Sequence, residues 1–166
     1  AVVKQGNALR VSWDSVCPMD EHTVIMGNPP FNGSRMMLPE QKEDTLALWA
    51  GTRGAGNIDY VANWFLLAAK WASSRGVTVG FVATSSISQG EQPALIWGEI
   101  QHLNVGIDFA YRSFWWDNGA AVHCVIVGLS ASPQAKKRQL WSFSDIKGEP
   151  QLSIAGNING YLLDAP

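Results

Sequence analysis

The chain has 166 residues, of which 46% are hydrophobic and 16% are charged, and its formal net charge is −2. This length fits one ordinary domain with a real core, which excludes wholesale disorder, and the charge excludes binding to nucleic acid through bulk positive charge alone. No apolar run approaches the roughly 18–20 residues that span a bilayer, and two cysteines are too few for a disulfide framework. We therefore expect a cytoplasmic protein that is not associated with a membrane.

The first part of the chain predicts one strand and a long loop. The short apolar run at residues 23–27 is typical of a buried strand, and it stops at Asn28-Pro29-Pro30, where a rigid loop should begin. Residues 32–57 contain four glycines and Pro39, so they predict a long mobile loop. Within it, the glycine-rich stretch 51–56 is interpreted as a hinge. A loop of this length inside a compact domain is usually functional.

Residues 58–74 give the clearest helical pattern. Its apolar stripe is broad enough for a helix that packs against a sheet; the residues sharing that face are Ile58, Val61, Phe65, Ala68 and Ala72. Asn57 is the predicted N-terminal cap, and Arg75-Gly76 should end the helix.

The second half alternates between strands and helices. Strands are predicted at residues 77–85, 106–111, 121–130 and 138–143, with a helix from Pro93 to about Leu103 and a polar tail at the end. Asn118-Gly119 is a hairpin signal between the predicted strands at residues 106–111 and 121–130. This order predicts an α/β fold whose sheet is mostly parallel with an antiparallel edge hairpin. Ligands of such sheets bind beyond the carboxyl ends of the strands, which is where residues 27–31 lie.

The segment Asn28-Pro29-Pro30-Phe31 has a distinctive chemistry. Neither proline has an amide hydrogen and each fixes its own φ, so the segment is rigid. Asn28 offers a side-chain oxygen and Pro29 a backbone carbonyl as neighbouring acceptors, while Phe31 adds an aromatic face. This combination suits a planar heterocycle with an exocyclic amino group. A simple turn begun by the asparagine, with a core phenylalanine, is the alternative.

Residues 27–31 resemble the catalytic motif of amino-group methyltransferases that use S-adenosylmethionine. Segments 58–61, 81–92 and 109–114 occur in the order expected for that motif set. Over residues 5–130 the chain resembles the adenine-specific DNA methyltransferase region of bacterial fused restriction–modification enzymes. In that family one polypeptide both methylates and cleaves DNA.

The resemblance implies methyl transfer to adenine N6 of a base flipped out of double-stranded DNA. Asn28 and the Pro29 carbonyl would accept hydrogen bonds from the target amino group, and Pro30 would keep the turn rigid. Phe31 would stack on the base, with Phe114 or Trp115 forming the opposite wall. The cofactor would be S-adenosylmethionine, with Asn7 contacting its adenine and with Pro30 and Ile58 as apolar neighbours.

One departure from the family concerns the glycine-rich loop that holds the methionine part of the cofactor, since no such loop precedes Gly6-Asn7. We therefore expect a partial Rossmann-like fold: residues 1–135 as the catalytic half of the methyltransferase domain, and 136–166 as the start of a linker or target-recognition region. Alone, the chain should be inactive and bind the cofactor weakly. It should expose a sheet edge and apolar faces that allow self-association.

Other functions remain open from the residues alone. Protein-glutamine methyltransferases share the Asn-Pro-Pro-aromatic pattern, a cytosine-N4 target poses the same chemical problem, and a non-catalytic DNA-recognition or scaffold module is the third alternative. His22, His102 and His123 are isolated in sequence, so we expect no metal site, with His123 in the core or on the surface. Ser85-Ser86 lacks the elbow of a serine nucleophile, and the basic residues 136–138 are typical of a solvated turn.

Overall fold

The computed structural model describes residues 1–116, 122–131 and 137–166. In these ranges the strands are β1 (Val24–Gly27), β2 (Thr78–Thr84), β3 (Val105–Trp116), β4 (Val122–Ala131), β5 (Arg138–Ser142) and β6 (Gln151–Ala155). The α-helices are α1 (Pro39–Leu48), α2 (Ala62–Arg75) and α3 (Gln92–His102). The predicted Asn118-Gly119 turn and Lys136 lie outside the described residues.

The strands form one mixed sheet in the order β1-β2-β4-β3-β5-β6. Among the described strands, β1 pairs with β2 and β3 with β5 in parallel, while the other pairings are antiparallel. The α/β class is confirmed, but the prediction of a mostly parallel sheet with the hairpin at its edge is wrong. The hairpin strands β3 and β4 lie in the middle of the sheet, because the apolar run of β4 is largely buried, with Cys124, Val125, Val127 and Leu129 fully inaccessible.

Helix α2 confirms the predicted apolar stripe and corrects the predicted start. All five residues of the stripe are fully buried, and Gly76 ends the helix with a φ of +72°. The predicted cap at Asn57 is wrong, since the helix begins only at Ala62. Long-range hydrogen bonds hold the preceding residues in a turn that is not part of the helix. The Asp59 amide donates to the Gln92 side chain, and the Tyr60 amide donates to the Asn32 carbonyl.

The prediction of a long loop over residues 32–57 is wrong for its central part, which forms α1. Pro39 occupies the first turn of that helix, where a missing amide hydrogen costs nothing. The Gln41 side chain reaches back to accept the Leu38 amide, as in half of a capping box. The mixture of glycines and a proline concealed this helix because the proline begins it and the glycines lie outside it.

One face of the sheet is covered by helices and the other is open. Phe65 of α2 meets Phe81 of β2 edge-to-face at 5.3 Å between ring centroids. On the open face, Val24 and Met26 of the edge strand β1 are 61% and 79% exposed. The expected exposure of an edge strand and apolar surface is thus confirmed, while self-association stays a prediction.

The end of the chain joins the same sheet. Strand β6, which the sequence did not predict, pairs with β5, and a bridge between Ile158 and Asp164 closes the tail. Ile158 and Leu162 are buried. Whether a functional boundary lies near residue 135 stays a prediction.

Candidate active site

The Asn-Pro-Pro-Phe loop leaves the sheet at the carboxyl end of β1, directly after Gly27 pairs with Phe81. Asn28 is exposed, Pro29 is buried, and Phe31 is half-buried against the core. No described residue donates a hydrogen bond to the Asn28 side chain or to the Pro29 carbonyl. Neither oxygen is therefore engaged by a donor within the described part of the protein.

A cleft of about 410 Å³ lies on the approach to this loop. Asn28, Pro29 and Pro30 line it together with Ala8, Trp13, Ile25, Met26, Gly27, Trp64 and Phe81. The Trp13 indole donates a hydrogen bond of 2.6 Å to the Ala8 carbonyl, which fixes the N-terminal turn beside the cleft. We call this the aromatic cleft. Its lining is dominated by aromatic and aliphatic side chains.

A second cleft, of about 500 Å³, begins at Phe31. It is lined by Phe31, Gly33, Asp59, Thr84, Ser85, Ser86, Gln89, Val122 and His123. These residues meet because β1 and β2 end at this edge of the sheet, and β4, being antiparallel to β2, begins there. We call this the polar cleft. It lies at the strand ends, where the sequence predicts that a ligand binds; binding there stays a prediction.

Asp59 is the buried charged group of the polar cleft, only 8% exposed. Its Oδ2 accepts a hydrogen bond of 2.6 Å from the Ser86 hydroxyl, and its Oδ1 accepts one of 2.9 Å from the Ser34 amide. The Ser86 and Thr84 hydroxyls are themselves 2.8 Å apart. Both carboxylate oxygens are thus satisfied within the protein.

The two aromatic candidates for the base-facing wall have different surroundings. Trp115 pairs across the hairpin with His123, their rings meeting edge-on at 5.3 Å, and His123 lines the polar cleft. Phe114 instead contacts the Phe143 ring at 5.7 Å. Neither Phe114 nor Trp115 lines the polar cleft itself in the described part of the chain, and Trp115 is the one connected to it.

The N-terminal turn that contains Asn7 is anchored to α1. The side-chain amide of Asn7 donates a hydrogen bond of 2.9 Å to the Asp44 carboxylate, and the Arg10 guanidinium donates one of 2.7 Å. The Tyr60 hydroxyl lies 3.4 Å from the same carboxylate. Burial and the neighbouring Asp44 raise the pKa of Tyr60. Asn7 lines neither cleft, although its neighbour Ala8 lines the aromatic cleft, and Ile58 is fully buried behind the site.

Sequence reasoning missed several residues that form the clefts. Asp59 and Ser86 fall within segments that carried the family resemblance, but neither was predicted to line a binding site. Ser86 could have been found as a hydroxyl directly after a predicted strand, which is where ligand groups gather. Trp13 and Trp64 had no signal beyond composition, since tryptophan is normally core or interface.

The described ranges contain neither a cluster of metal ligands nor a membrane-spanning helix. No set of three or more His, Cys, Asp or Glu side chains there could hold a metal ion. No helix among those residues is long and apolar enough to cross a membrane.

A rigid Asn-Pro-Pro-Phe loop, set between an aromatic and a polar cleft at the strand ends, is an arrangement typical of a methyltransferase domain. Comparison with known proteins gives the particular family. Residues 1–142 match the MmeI DNA-methyltransferase domain, and the chain belongs to this family.

Two relatives match over nearly the whole chain. DNA methyltransferase A of Bacillus subtilis (strain 168) is 37% identical over 168 residues, which cover 98% of this chain. The type IIL restriction–modification enzyme MmeI, solved in complex with DNA, is 36% identical with a TM-score of 0.91 over 98% of this chain. The chain spans 18% of the first and 22% of the second, about a fifth of each relative.

A more distant match is the DrdV–DNA complex, at 15% identity and a TM-score of 0.46 over 72% of this chain and 14% of that one. The methyltransferase family predicted from the sequence is therefore confirmed by the family match and by both close relatives. Of these relatives, MmeI is a restriction–modification enzyme.

Proposed function

We propose that this chain is the catalytic half of a methyltransferase domain in a longer restriction–modification enzyme, and that it transfers a methyl group to adenine N6 of a base flipped out of double-stranded DNA. The observation that carries the proposal is the pair of acceptors, Asn28 Oδ1 and the Pro29 carbonyl, to which no described residue donates a hydrogen bond. Both residues line the aromatic cleft, and Phe31, at the end of the same loop, lines the polar cleft. Residues 136–166 would begin the connection to the target-recognition region.

The chemistry follows from those two acceptors. Hydrogen bonds from the target amino group to Asn28 Oδ1 and the Pro29 carbonyl would localise the nitrogen lone pair and aim it at the methyl donor. This activation needs no strong base. It also agrees with Asp59, whose oxygens are both engaged by Ser34 and Ser86 rather than directed at a substrate proton.

The polar cleft is the place for the target base. Phe31 forms one side of it and would stack on the ring. His123, braced by the edge of Trp115, lies in the same cleft, so Trp115 is a better candidate than Phe114 for the opposite wall. The base would lie between these two aromatic groups with its amino group at Asn28.

The aromatic cleft fits one end of S-adenosylmethionine. Trp13, Trp64 and Pro30 supply flat apolar surfaces for the adenine, while Asn7 would act through the turn that carries Ala8 and Ile58 would support the cleft from behind. When bound, the cofactor supplies an activated methyl group on a sulfonium. No acidic side chain of the described residues lines this cleft, so partners for the ribose hydroxyls and the methionine end would come from elsewhere in the longer enzyme.

The test is methyl transfer by the longer enzyme that contains this chain. Labelled S-adenosylmethionine is incubated with duplex DNA, and the DNA is digested to nucleosides. Label in N6-methyladenine is expected. Label in N4-methylcytosine, or in a glutamine-containing peptide and not in DNA, would overturn the assignment of the substrate.

A further inference from the structure

Asp59 joins two loops that the chain separates by about 50 residues. Through Oδ1 it holds the Ser34 amide, three residues after Phe31, and through Oδ2 it holds the Ser86 hydroxyl, just after β2. Both loops line the polar cleft. One buried carboxylate therefore fixes two sides of the space assigned to the target base.

The backbone around Asp59 strengthens the same connection. The Asp59 amide donates to the Gln92 side chain at 3.1 Å, and the next amide, of Tyr60, donates to the Asn32 carbonyl at 2.8 Å. Asn32 directly follows Phe31. The turn before α2 thus holds the Phe31 loop at two points, Asn32 and Ser34. Gln92 connects the same turn to α3.

Hydrogen bonds to an ionised acceptor are shorter and stronger than those between neutral groups. The 2.6 Å distance between Asp59 and Ser86 is of that kind. A buried carboxylate whose two oxygens each accept a hydrogen bond from the protein is held in a fixed geometry. Asp59 therefore connects the two loops.

We infer that Asp59 is a positioning residue for the target base: by bracing the Phe31 loop against the Ser86 loop, it sets the width of the polar cleft. The inference rests on the proposed function. It adds to that function a residue that touches neither reacting atom.

The structure offers a variant that separates geometry from charge. In Asp59→Asn, the new carbonyl can accept the Ser34 amide and the new amide can donate to Ser86 Oγ. Ser86 can then turn its proton to Thr84 Oγ1, 2.8 Å away. Asp59→Asn therefore keeps both connections without the charge, whereas Asp59→Ala loses both and Ser86→Ala loses one.

The experiment uses the longer enzyme with duplex DNA that carries 2-aminopurine at the target position, whose fluorescence rises when the base leaves the stack. It also measures kcat and KM for methyl transfer to unmodified DNA, and the thermal midpoint. For Asp59→Ala we expect loss of most of the fluorescence rise and a fall in kcat of about 100-fold, the scale of a 1 Å misplacement. The KM for S-adenosylmethionine should change less than about twofold, since Asp59 lies outside the aromatic cleft.

Asp59→Asn should restore the fluorescence rise and retain kcat within about tenfold of the wild type, a difference of about 1.4 kcal/mol. Adding Thr84→Val should remove that rescue, because Ser86 then loses the acceptor for its proton. If Asp59→Asn is as damaging as Asp59→Ala, the carboxylate acts through its charge and the inference is wrong. The inference is also wrong if Asp59→Ala keeps normal fluorescence and kcat.

If Asp59→Ala fails to fold, Ser86→Ala replaces it in the experiment. We then expect a smaller loss of kcat and a smaller loss of the fluorescence rise. Unchanged values of both would contradict the inference. Failure of the proposed function would be seen separately, because the wild-type enzyme would then show no N6-methyladenine at all.

Discussion

The ring of Phe109 lies directly over Gly128, its partner on the neighbouring strand of the hairpin. A Cβ atom at position 128 would lie 2.0 Å from Cε1 of that ring. Because Gly128 has no side chain, the Phe109 ring can lie close against the open face of the sheet. There it also meets Trp141 edge-on, at 6.4 Å between centroids.

Gly128→Ala should lower the free energy of unfolding by about 1–3 kcal/mol, because the added methyl group must displace the Phe109 ring or the strand beneath it. Thermal or denaturant unfolding measures this. Gly98→Ala in α3 is the matched control: nothing lies within 4 Å of its added Cβ, so it should be neutral or stabilising by up to about 1 kcal/mol. Combining Gly128→Ala with Phe109→Leu should cost less than the sum of the two single changes; additive losses would show that the ring contact is not the cause.

Asn28→Ala should remove most of the methyl transfer in the longer enzyme while leaving the affinity for S-adenosylmethionine nearly unchanged. The Asn28 oxygen is assigned to the target amino group, so its loss removes stabilisation of the transition state, about 100- to 1000-fold in kcat for one such polar group. Rapid-quench kinetics and cofactor titration measure the two quantities. Asn28→Asp keeps an oxygen in place and should lose less activity. If Asn28→Ala instead loses affinity for the cofactor, the assignment of Asn28 to the target amino group is wrong.

Asp44→Ala should loosen the N-terminal turn beside the aromatic cleft. Asp44 accepts from both Asn7 and Arg10 and ties them to α1. Each lost hydrogen bond is worth about 0.5–1.5 kcal/mol, so losing both should make the amides of Arg10 and Val11 exchange with solvent about 5- to 160-fold faster. Glu43→Ala, an exposed neighbour on the same helix, is the control. Equal exchange rates in the two variants would mean that Asp44 does not hold the turn.

The two cysteines should differ sharply in reactivity. Cys17 is exposed, whereas Cys124 is fully buried and burial raises the pKa of its thiol, which keeps it protonated and unreactive at neutral pH. Alkylation with iodoacetamide followed by mass spectrometry should therefore modify one site in the folded protein and two after denaturation. Rapid labelling of Cys124 in the folded protein would contradict its place inside the sheet.

The chain on its own should bind S-adenosylmethionine weakly or not at all. The aromatic cleft offers surfaces for the adenine, but no described residue there offers an acidic partner for the ribose. Losing several hydrogen bonds of about 0.5–1.5 kcal/mol each lowers affinity by orders of magnitude. Isothermal titration of the 166-residue chain checks this; a micromolar dissociation constant would mean that the cofactor site includes other residues, with Gly51–Gly56 the first to consider.

Local patterns in the sequence were enough to predict the strand end and the loop that we propose as the chemical centre. A short apolar run that stops at two prolines defines the end of β1 and the rigid Asn28–Phe31 loop, because both signals act within a few residues. The ordered set of family segments likewise predicted the methyltransferase family that the comparisons confirm. The apolar stripe of α2 was equally readable, since its period of 3.6 residues is a local property.

Only the tertiary structure decided what surrounds that centre. Helix α1 was concealed because Pro39 can either break or begin a helix, and only its neighbours show which. The central place of the hairpin depends on which strand edges pair, a choice between partners distant in the chain. Asp59 and Ser86 form one unit across 27 residues because two strand ends meet at one edge of the sheet. Long-range hydrogen bonds and pairings of this kind leave no period or spacing in the sequence, and they are what bring the two clefts to either end of the Asn-Pro-Pro-Phe loop.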